Sequence, residues 1–379
     1  MIDDIGRLVR TESPSADLTA VARSAEEVAR IGASHLGAEP DVITVDGRTH
    51  LRWRLGSGPR RVLLLGHHDT VWPIGSLDTH PFTVRDGVLR GPGCFDMKAG
   101  LVMAFHALAA LGADAVAGVT LLVTGDEELG SPSSRELIES EAAGCAAAFV
   151  LEASADGGAL KTERKGVSLY EIRVAGRAAH AGLEPHLGVN AGIETAHQIL
   201  AVAALSDTGA GTTVTPTVLT AGTTTNTVPA HGRFAVDVRV RDAVEQARVD
   251  TALRGLRPVL DGATLEVTGG PNRPPLPHAA SDALYHRAGQ LAQELGIGPL
   301  TAAAVGGASD GNFTAGVGIP TLDGLGAVGG GAHATDEHVI VAELPRRTAL
   351  LTALVGAVLA EQPQAARESD TTAIGRSPR

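Results

Sequence analysis

Residues 61–71 read RVLLLGHHDTV, and the fold is decided in this stretch. The run Arg61–Leu65 shows no alternation of apolar and polar residues, which predicts a strand covered on both faces. Its end carries His67 and Asp69. Three further runs share the pattern: Val119–Val123, Ala146–Leu151 and Ile319–Leu322. Helical spacing of apolar residues separates or follows them at Ala99–Leu111, Ser133–Ala142, Ser281–Leu295 and Ala342–Glu361. Residues 1 to 37 also read as helix, with Gly37 as a stop. Buried strands alternating with helices predict an α/β layer, a mixed, largely parallel sheet with flanking helices.

The middle of the chain has another rhythm. Ser168–Val174 alternates like a half-buried strand, Asn190–Leu205 is helical, and Thr212–Thr220 and Gly232–Val240 are strands around a Thr/Asn/Pro turn. Asp242–Leu260 is again helical and Ala263–Thr268 is a last strand. The order β-α-β-β-α-β is that of a ferredoxin-like α+β sandwich. Residues 167–275 are therefore expected to form a second domain inserted into a first made of 1–166 and 276–379. The segment Gly269–His278, GGPNRPPLPH, reads as a Pro-rich return linker. The tail 362–379 is polar and unpatterned and is expected to be disordered.

Composition excludes several classes. The 379 residues carry 31 Lys+Arg against 43 Asp+Glu, a formal net charge of -12. Such a chain lacks the basic footprint of a nucleic-acid or anionic-membrane binder. Aromatics are only 3%, too few for a base-stacking surface. The start, MIDDIGRLVR, is acidic where a secretory signal is basic. No apolar run is read as approaching the roughly 18 to 20 residues that span a bilayer. Cys94 and Cys145 make neither a CxxC pair nor a disulfide framework, and Cys94 reads as a buried thiol. The expectation is a cytoplasmic protein.

The chemistry gathers at strand ends. GHHDTV places His67 and Asp69, TGDEELGS places Asp126, Glu127 and Glu128, and Ala146–Leu151 leads into Glu152. His333 follows Ile319–Leu322 after a glycine-rich loop, and GPGCFDMKAG sets Asp96 just before a helix. Open α/β sheets bind ligands beyond the carboxyl ends of their strands. Each residue alone has an ordinary reading: a core or surface histidine, an acid favouring a helix start, an Asp cap. Together they would bury several acids with no cation beside them, a very costly arrangement unless divalent metal compensates. Mixed imidazole and carboxylate ligands suit Zn²⁺, with Co²⁺ or Mn²⁺ as alternatives.

In these residues the chain resembles the co-catalytic dizinc peptidase family of glutamate carboxypeptidase, acetylornithine deacetylase and succinyl-diaminopimelate desuccinylase. The matching motifs are GHHDTV (66–71), GPGCFDMKAG (91–100), GDEELGS (125–131), Glu152 and GGGAHATDEH (329–338). In the expected insert, GRAAHAG (176–182), TTTNTVP (223–229) and DVR (237–239) match as well. The glutamate carboxypeptidase branch looks nearest, although Ala153 stands where that pattern has proline. The resemblance implies a zinc-peptidase-like fold with Asp96 bridging two zincs. It places His67 and Glu152 on one metal, and Glu128 and His333 on the other. It makes Asp69 the hydrogen-bond acceptor that fixes the His67 tautomer, and Glu127 the general base. His68 is left out of the site, since neighbouring side chains of an extended segment point to opposite sides. The resemblance further implies a homodimer through the inserted domain, with His180 reaching the partner's site to stabilise the oxyanion. Asn226 and Arg239 would line the substrate end. The function it implies is hydrolysis of a peptide or amide bond, either as a carboxypeptidase releasing a glutamate-like residue or as an N-acyl amino acid deacylase.

Rival readings remain at this point. GASDG (307–311) is a literal G-x-S-x-G followed by Asp323 and His333, the order of a serine hydrolase. GPGCFD resembles a dinucleotide fingerprint without its last glycine. A non-catalytic metal or peptide binder could use the same ligands, but would have no use for Glu127.

Overall fold

The computed structural model describes residues 1–361; the expectation for 362–379 lies outside them. Six strands build the main sheet: β1 (Asp41–Val45), β2 (Arg48–Leu55), β3 (Val62–His67), β4 (Val119–Thr124), β5 (Ala147–Val150) and β6 (Thr321–Leu322). Their spatial order is β1-β2-β4-β3-β5-β6. Strands β4, β3, β5 and β6 run parallel, β2 joins β4 antiparallel, and β1 closes the edge antiparallel to β2. Every residue of β3 and β4 is buried, as the unbroken apolar runs predict. Successive side chains go to opposite faces. Val62 and Leu64 enter the larger core with Trp53, Phe105 and Leu354, while Leu63 and Leu65 pack with Leu122, Ile138 and Phe313.

A second, four-stranded antiparallel sheet is made by Gly166–Ala175, Thr213–Ala221, His231–Val240 and Thr264–Arg273. Helices Ala191–Ala203 and Ala243–Arg254 cover it, giving the β-α-β-β-α-β order and a separate core around Ile172, Phe234 and Val238. Asp237 and Arg239 stand on the opposite face of their strand from Phe234, Val236 and Val238, which are buried.

Four sequence expectations change. The first 37 residues form two helices, Ile2–Arg10 and Leu18–Leu36, not one. Pro14 lies in the break, and the residue before a proline is disfavoured in helical conformation. The β1–β2 hairpin had not been anticipated. Its signal is Asp46-Gly47, both with positive φ (49° and 77°), as a type I′ turn requires. The stretch Cys94–Leu111 is in fact long and apolar enough to cross a membrane, yet 72% of it is buried inside the protein. Its helix is apolar all round because the core surrounds it. Lastly, the strand from Thr264 runs on to Arg273, into the segment read as linker. Both cysteines are free and buried.

Candidate metal centre

The carboxyl ends of the parallel strands bring the expected ligands together. His67 closes β3, Glu127 and Glu128 follow β4, and Glu152 follows β5. Asp96 comes from the turn before helix Ala99–Leu111, and His333 from the loop after β6. Asp96 divides its two oxygens. Oδ1 lies 3.3 Å from Nε2 of His67, and Oδ2 lies 3.2 Å from Nε2 of His333. Glu152 Oε1 stands 3.5 Å from the His67 nitrogen, and Glu128 Oε1 stands 3.2 Å from the His333 nitrogen. Two ligand sets therefore share one carboxylate, His67–Asp96–Glu152 and His333–Asp96–Glu128. His67, Glu127 and Glu152 also bring ligand atoms within 4.8 Å of one another, as do His67, Asp96 and Glu128.

The residues fit divalent ions. Nε2 of His67 and Oε1 of Glu128 are buried without a hydrogen-bond partner. Orphaned polar atoms of that kind cost about 1–3 kcal/mol each unless something binds them. Among the described residues no lysine or arginine pairs with Asp96 or Glu128. Without metal, protons take the cations' place. Burial works against charge on His67, but Asp69, Asp96 and Glu152 outweigh it and hold the imidazole well above its ordinary pKa. The Asp96 and Glu128 carboxylates, each 3.2 Å away, raise His333 to about 10. Burial would raise Asp96, yet His333 and His67 hold it well below the usual carboxylate range. Burial pushes Glu128 up, against the pull of the nearby His333 imidazole.

A surrounding layer fixes these ligands. His67 Nδ1 bonds the backbone carbonyl of Asp69 at 3.0 Å, with the carboxylate farther off at 3.5 Å. The Asp69 carboxylate instead accepts from Ser15 Oγ (2.6 Å) and from the backbone N–H groups of Glu127 and Glu128 (3.2 Å each). The tautomer is thus set by Asp69, chiefly through its main chain, while its side chain pins the Glu127–Glu128 turn. Glu337, three percent exposed, accepts from the N–H groups of Gly93, Phe95 and Asp96 and from the Trp72 indole. It anchors the Asp96 turn. Arg164 bonds Asp323 at 2.6 Å and approaches Glu152 to 3.7 Å. Gly100 allows helix Ala99–Leu111 to touch the segment after β5 that bears Glu152: a Cβ there would lie 2.2 Å from the Leu151 carbonyl oxygen.

Glu127 is buried beside the ligand set. Its Oε1 accepts from Arg273 at 2.9 Å, and the same guanidinium reaches Asp310 at 2.9 Å. Burial still wins over Arg273 and keeps the Glu127 carboxyl well above the ordinary glutamate range. Sequence reasoning missed Arg273, Asp310 and Glu337. Arg273 lay in a supposed linker and Asp310 in the GASDG motif, while Glu337 belonged to a quoted motif but had been given no role.

Other expected residues lie elsewhere. His180, Asn226 and Arg239 make no hydrogen bond or ion pair with the ligand set. His180 and Asn226 lie near one another, since Ala181 N–H donates to the Asn226 carbonyl at 2.9 Å. His180 is exposed, and its Nδ1 accepts from the N–H groups of Gly182 and Leu183. Arg239 donates twice to Asp237 at 2.8 Å. Asp126 is no ligand; Ser133 and Ser134 occupy its oxygens. His68 points away as expected, bonding the Thr49 carbonyl, and burial lowers it to about 4. The serine-hydrolase reading fails on geometry. Ser309 is fully buried and bonded to Asp323 at 2.6 Å, while His333 faces Asp96 and Glu128.

Comparison with known proteins agrees with this geometry. Residues 63–357 match peptidase family M20/M25/M40. Carboxypeptidase G2 of Pseudomonas sp. strain RS-16 is 31% identical over 319 residues, which cover 79% of this chain and 74% of that protein. A succinyl-diaminopimelate desuccinylase of Burkholderia ambifaria is 31% identical over 338 residues, covering 81% and 86%. In fold, the chain matches an M20 family metallo-carboxypeptidase, Sso-CP2 from Sulfolobus solfataricus, with a TM-score of 0.75 at 16% identity, covering 94% of this chain and 98% of that one.

Proposed function

We propose a reaction for a chain that belongs to peptidase family M20/M25/M40, a family of metal-dependent peptidases and amidohydrolases: release of a C-terminal, glutamate-like amino acid by amide hydrolysis. The carrying observation is the split of Asp96, one oxygen toward His67 and the other toward His333. His67, Asp96 and Glu152 would hold one divalent ion, and Asp96, Glu128 and His333 a second, zinc in the first instance. Such a pair supplies Lewis acidity and a water of lowered pKa. Glu127 takes the proton from the attacking water and returns it to the amine nitrogen as the C–N bond breaks. Its raised proton affinity suits a group that must carry that proton between the two steps. Arg273 holds the Glu127 carboxylate in place from behind.

The similarity to carboxypeptidase G2 supports the carboxypeptidase reading. The similarity to desuccinylases favours a second one, deacylation of an N-acyl amino acid by the same bond chemistry. Hydrolysis of N-acyl glutamates, dipeptides and succinylated or acetylated amino acids, measured side by side, decides between them. Glu127→Gln should keep its metal and lose nearly all kcat, whereas Glu128→Ala should lose metal. A Glu127→Gln enzyme with near-normal kcat refutes the assignment.

The segment 167–275 acts in this proposal as the dimerisation unit. Supporting this, Ile193 (50% exposed) and Leu200 (71%) lie a heptad apart on helix Ala191–Ala203, and Val218 (75%) and Leu219 (62%) project from the edge strand Thr213–Ala221. Exposed apolar side chains on an unpaired edge invite a second copy. His180 and Asn226 would then serve the partner's site, with Arg239 gripping the substrate carboxylate. Mixing inactive His180→Ala and Glu127→Ala chains should restore activity in mixed dimers; confirmed mixed dimers without activity overturn the shared site.

A further inference from the structure

A second cluster of metal-ligating side chains lies outside the centre just described. Asp4, His35 and His106 come from three helices, Ile2–Arg10, Leu18–Leu36 and Ala99–Leu111. Their ligand atoms lie within 4.8 Å of one another. Both imidazoles aim Nε2 at one oxygen: Oδ2 of Asp4 is 3.1 Å from His35 and 3.5 Å from His106. The two rings are tilted by 49°, with centroids 4.3 Å apart. Burial lowers the His106 pKa, against the pull of Asp4.

The spacing is that of a coordination shell. With bonds of about 2.0–2.1 Å, neighbouring donors of a tetrahedral zinc ion stand about 3.3 Å apart. The two distances measured here bracket that edge. The side chains remain 18% to 30% exposed, which leaves an open face for a water ligand. On its other oxygen Asp4 meets Arg7 at 3.7 Å, and the Met1 amino group lies 3.7 Å from Oδ2, so an entering ion would displace these weaker pairings.

We propose that Asp4, His35 and His106 form a zinc site, completed by water, that staples the first helix to the two helices beneath it. The staple acts near the catalytic centre. The end of helix Ile2–Arg10 and its successor offer the carbonyls of Leu8 and Thr11 to Lys98 Nζ, at 3.0 Å each, and Lys98 stands two residues from Asp96. Neither histidine touches the ligands of the catalytic centre.

The test compares zinc bound per chain after equilibration of the full-length protein with Zn²⁺ and gel filtration. The double variant His35→Gln/His106→Gln should hold one ion fewer than wild type and keep its hydrolytic activity. The difference is read, so it stands whatever number the catalytic centre holds. Asp4→Asn gives the same subtraction should the double variant fail to fold. Zinc should also slow amide exchange in Ile2–Arg10 of the wild type and leave Asp4→Asn unchanged. Equal zinc content in wild type and variants, or exchange in Ile2–Arg10 indifferent to zinc, overturns the site and leaves an ordinary Asp–His hydrogen-bonded cluster.

Discussion

Glu337→Gln removes a single charge and tests how the Asp96 turn is held. The carboxylate takes four N–H bonds: Trp72 (2.7 Å) and Gly93 (2.9 Å) on Oε2, Phe95 (2.9 Å) and Asp96 (3.0 Å) on Oε1. Glutamine keeps one acceptor oxygen, so two donors are left facing an amide NH₂. Bonds to a charged acceptor contribute about 1.5–3 kcal/mol each, which sets a rigid limit of about 3–6 kcal/mol for the pair. Burial pushes the Glu337 carboxyl up, so losing the charge relieves some desolvation. The expected net loss is therefore about 2–4 kcal/mol in urea unfolding of the metal-free protein. A second readout separates positioning from bulk stability. With Asp96 loosened, metal affinity should fall roughly 10- to 100-fold, as for other groups that orient metal ligands. Glu337→Ala should not recover it. A Glu337→Gln protein that titrates with metal within twofold of wild type, at unchanged urea midpoint, refutes the role given to Glu337.

Three further outcomes follow from the same geometry. Gly100→Ala should drive helix Ala99–Leu111 off the Leu151 carbonyl, with an overpacking cost of about 1–3 kcal/mol or more and reduced metal content; unchanged thermal unfolding and metal content would contradict the close approach. Arg273→Ala leaves Glu127 and Asp310 uncompensated, so stability should fall by about 3–5 kcal/mol and the acid limb of kcat/KM should move to higher pH, because the cation that lowers the Glu127 pKa is gone. His333 is raised from an ordinary 6.5 to about 10 by Asp96 and Glu128, so its pairing stabilises the metal-free protein fully below pH 6.5 and is lost as pH rises toward 10. Chelated wild type should weaken across that window relative to chelated His333→Ala; parallel curves would refute it.

The ligands could be read from the sequence because strand ends impose a place on them. An unbroken apolar run says where a parallel strand stops, and His67, Glu128 and Glu152 follow such stops. Asp96 and His333 were placed more loosely, just before a helix and at the end of a glycine-rich loop, since neither a turn nor such a loop has periodicity. The groups that hold the ligands stayed hidden because their partners are remote along the chain: Glu337 is 241 residues from Asp96, and Arg273 is 146 from Glu127. A strand that continues through GGPNR defeats composition, because Gly and Pro there signal a linker.

Asp126 and Glu128 show where residue type stops being informative. Both are acids of GDEELG, two positions apart, and both were open as ligands. In the structure Asp126 accepts from Ser133 N–H at 2.7 Å and Ser133 Oγ at 2.6 Å, with Ser134 N–H at 3.2 Å adding a third bond. Its lone pairs are spent on the turn that starts the next helix. Glu128 Oε1 is buried and has no such donor. The difference was written in the sequence as Ser133 and Ser134, whose hydroxyls bond Asp126 and not Glu128. An acid is available to metal when no local donor has satisfied it first, so the donors following an acidic motif carry as much information as the acids themselves.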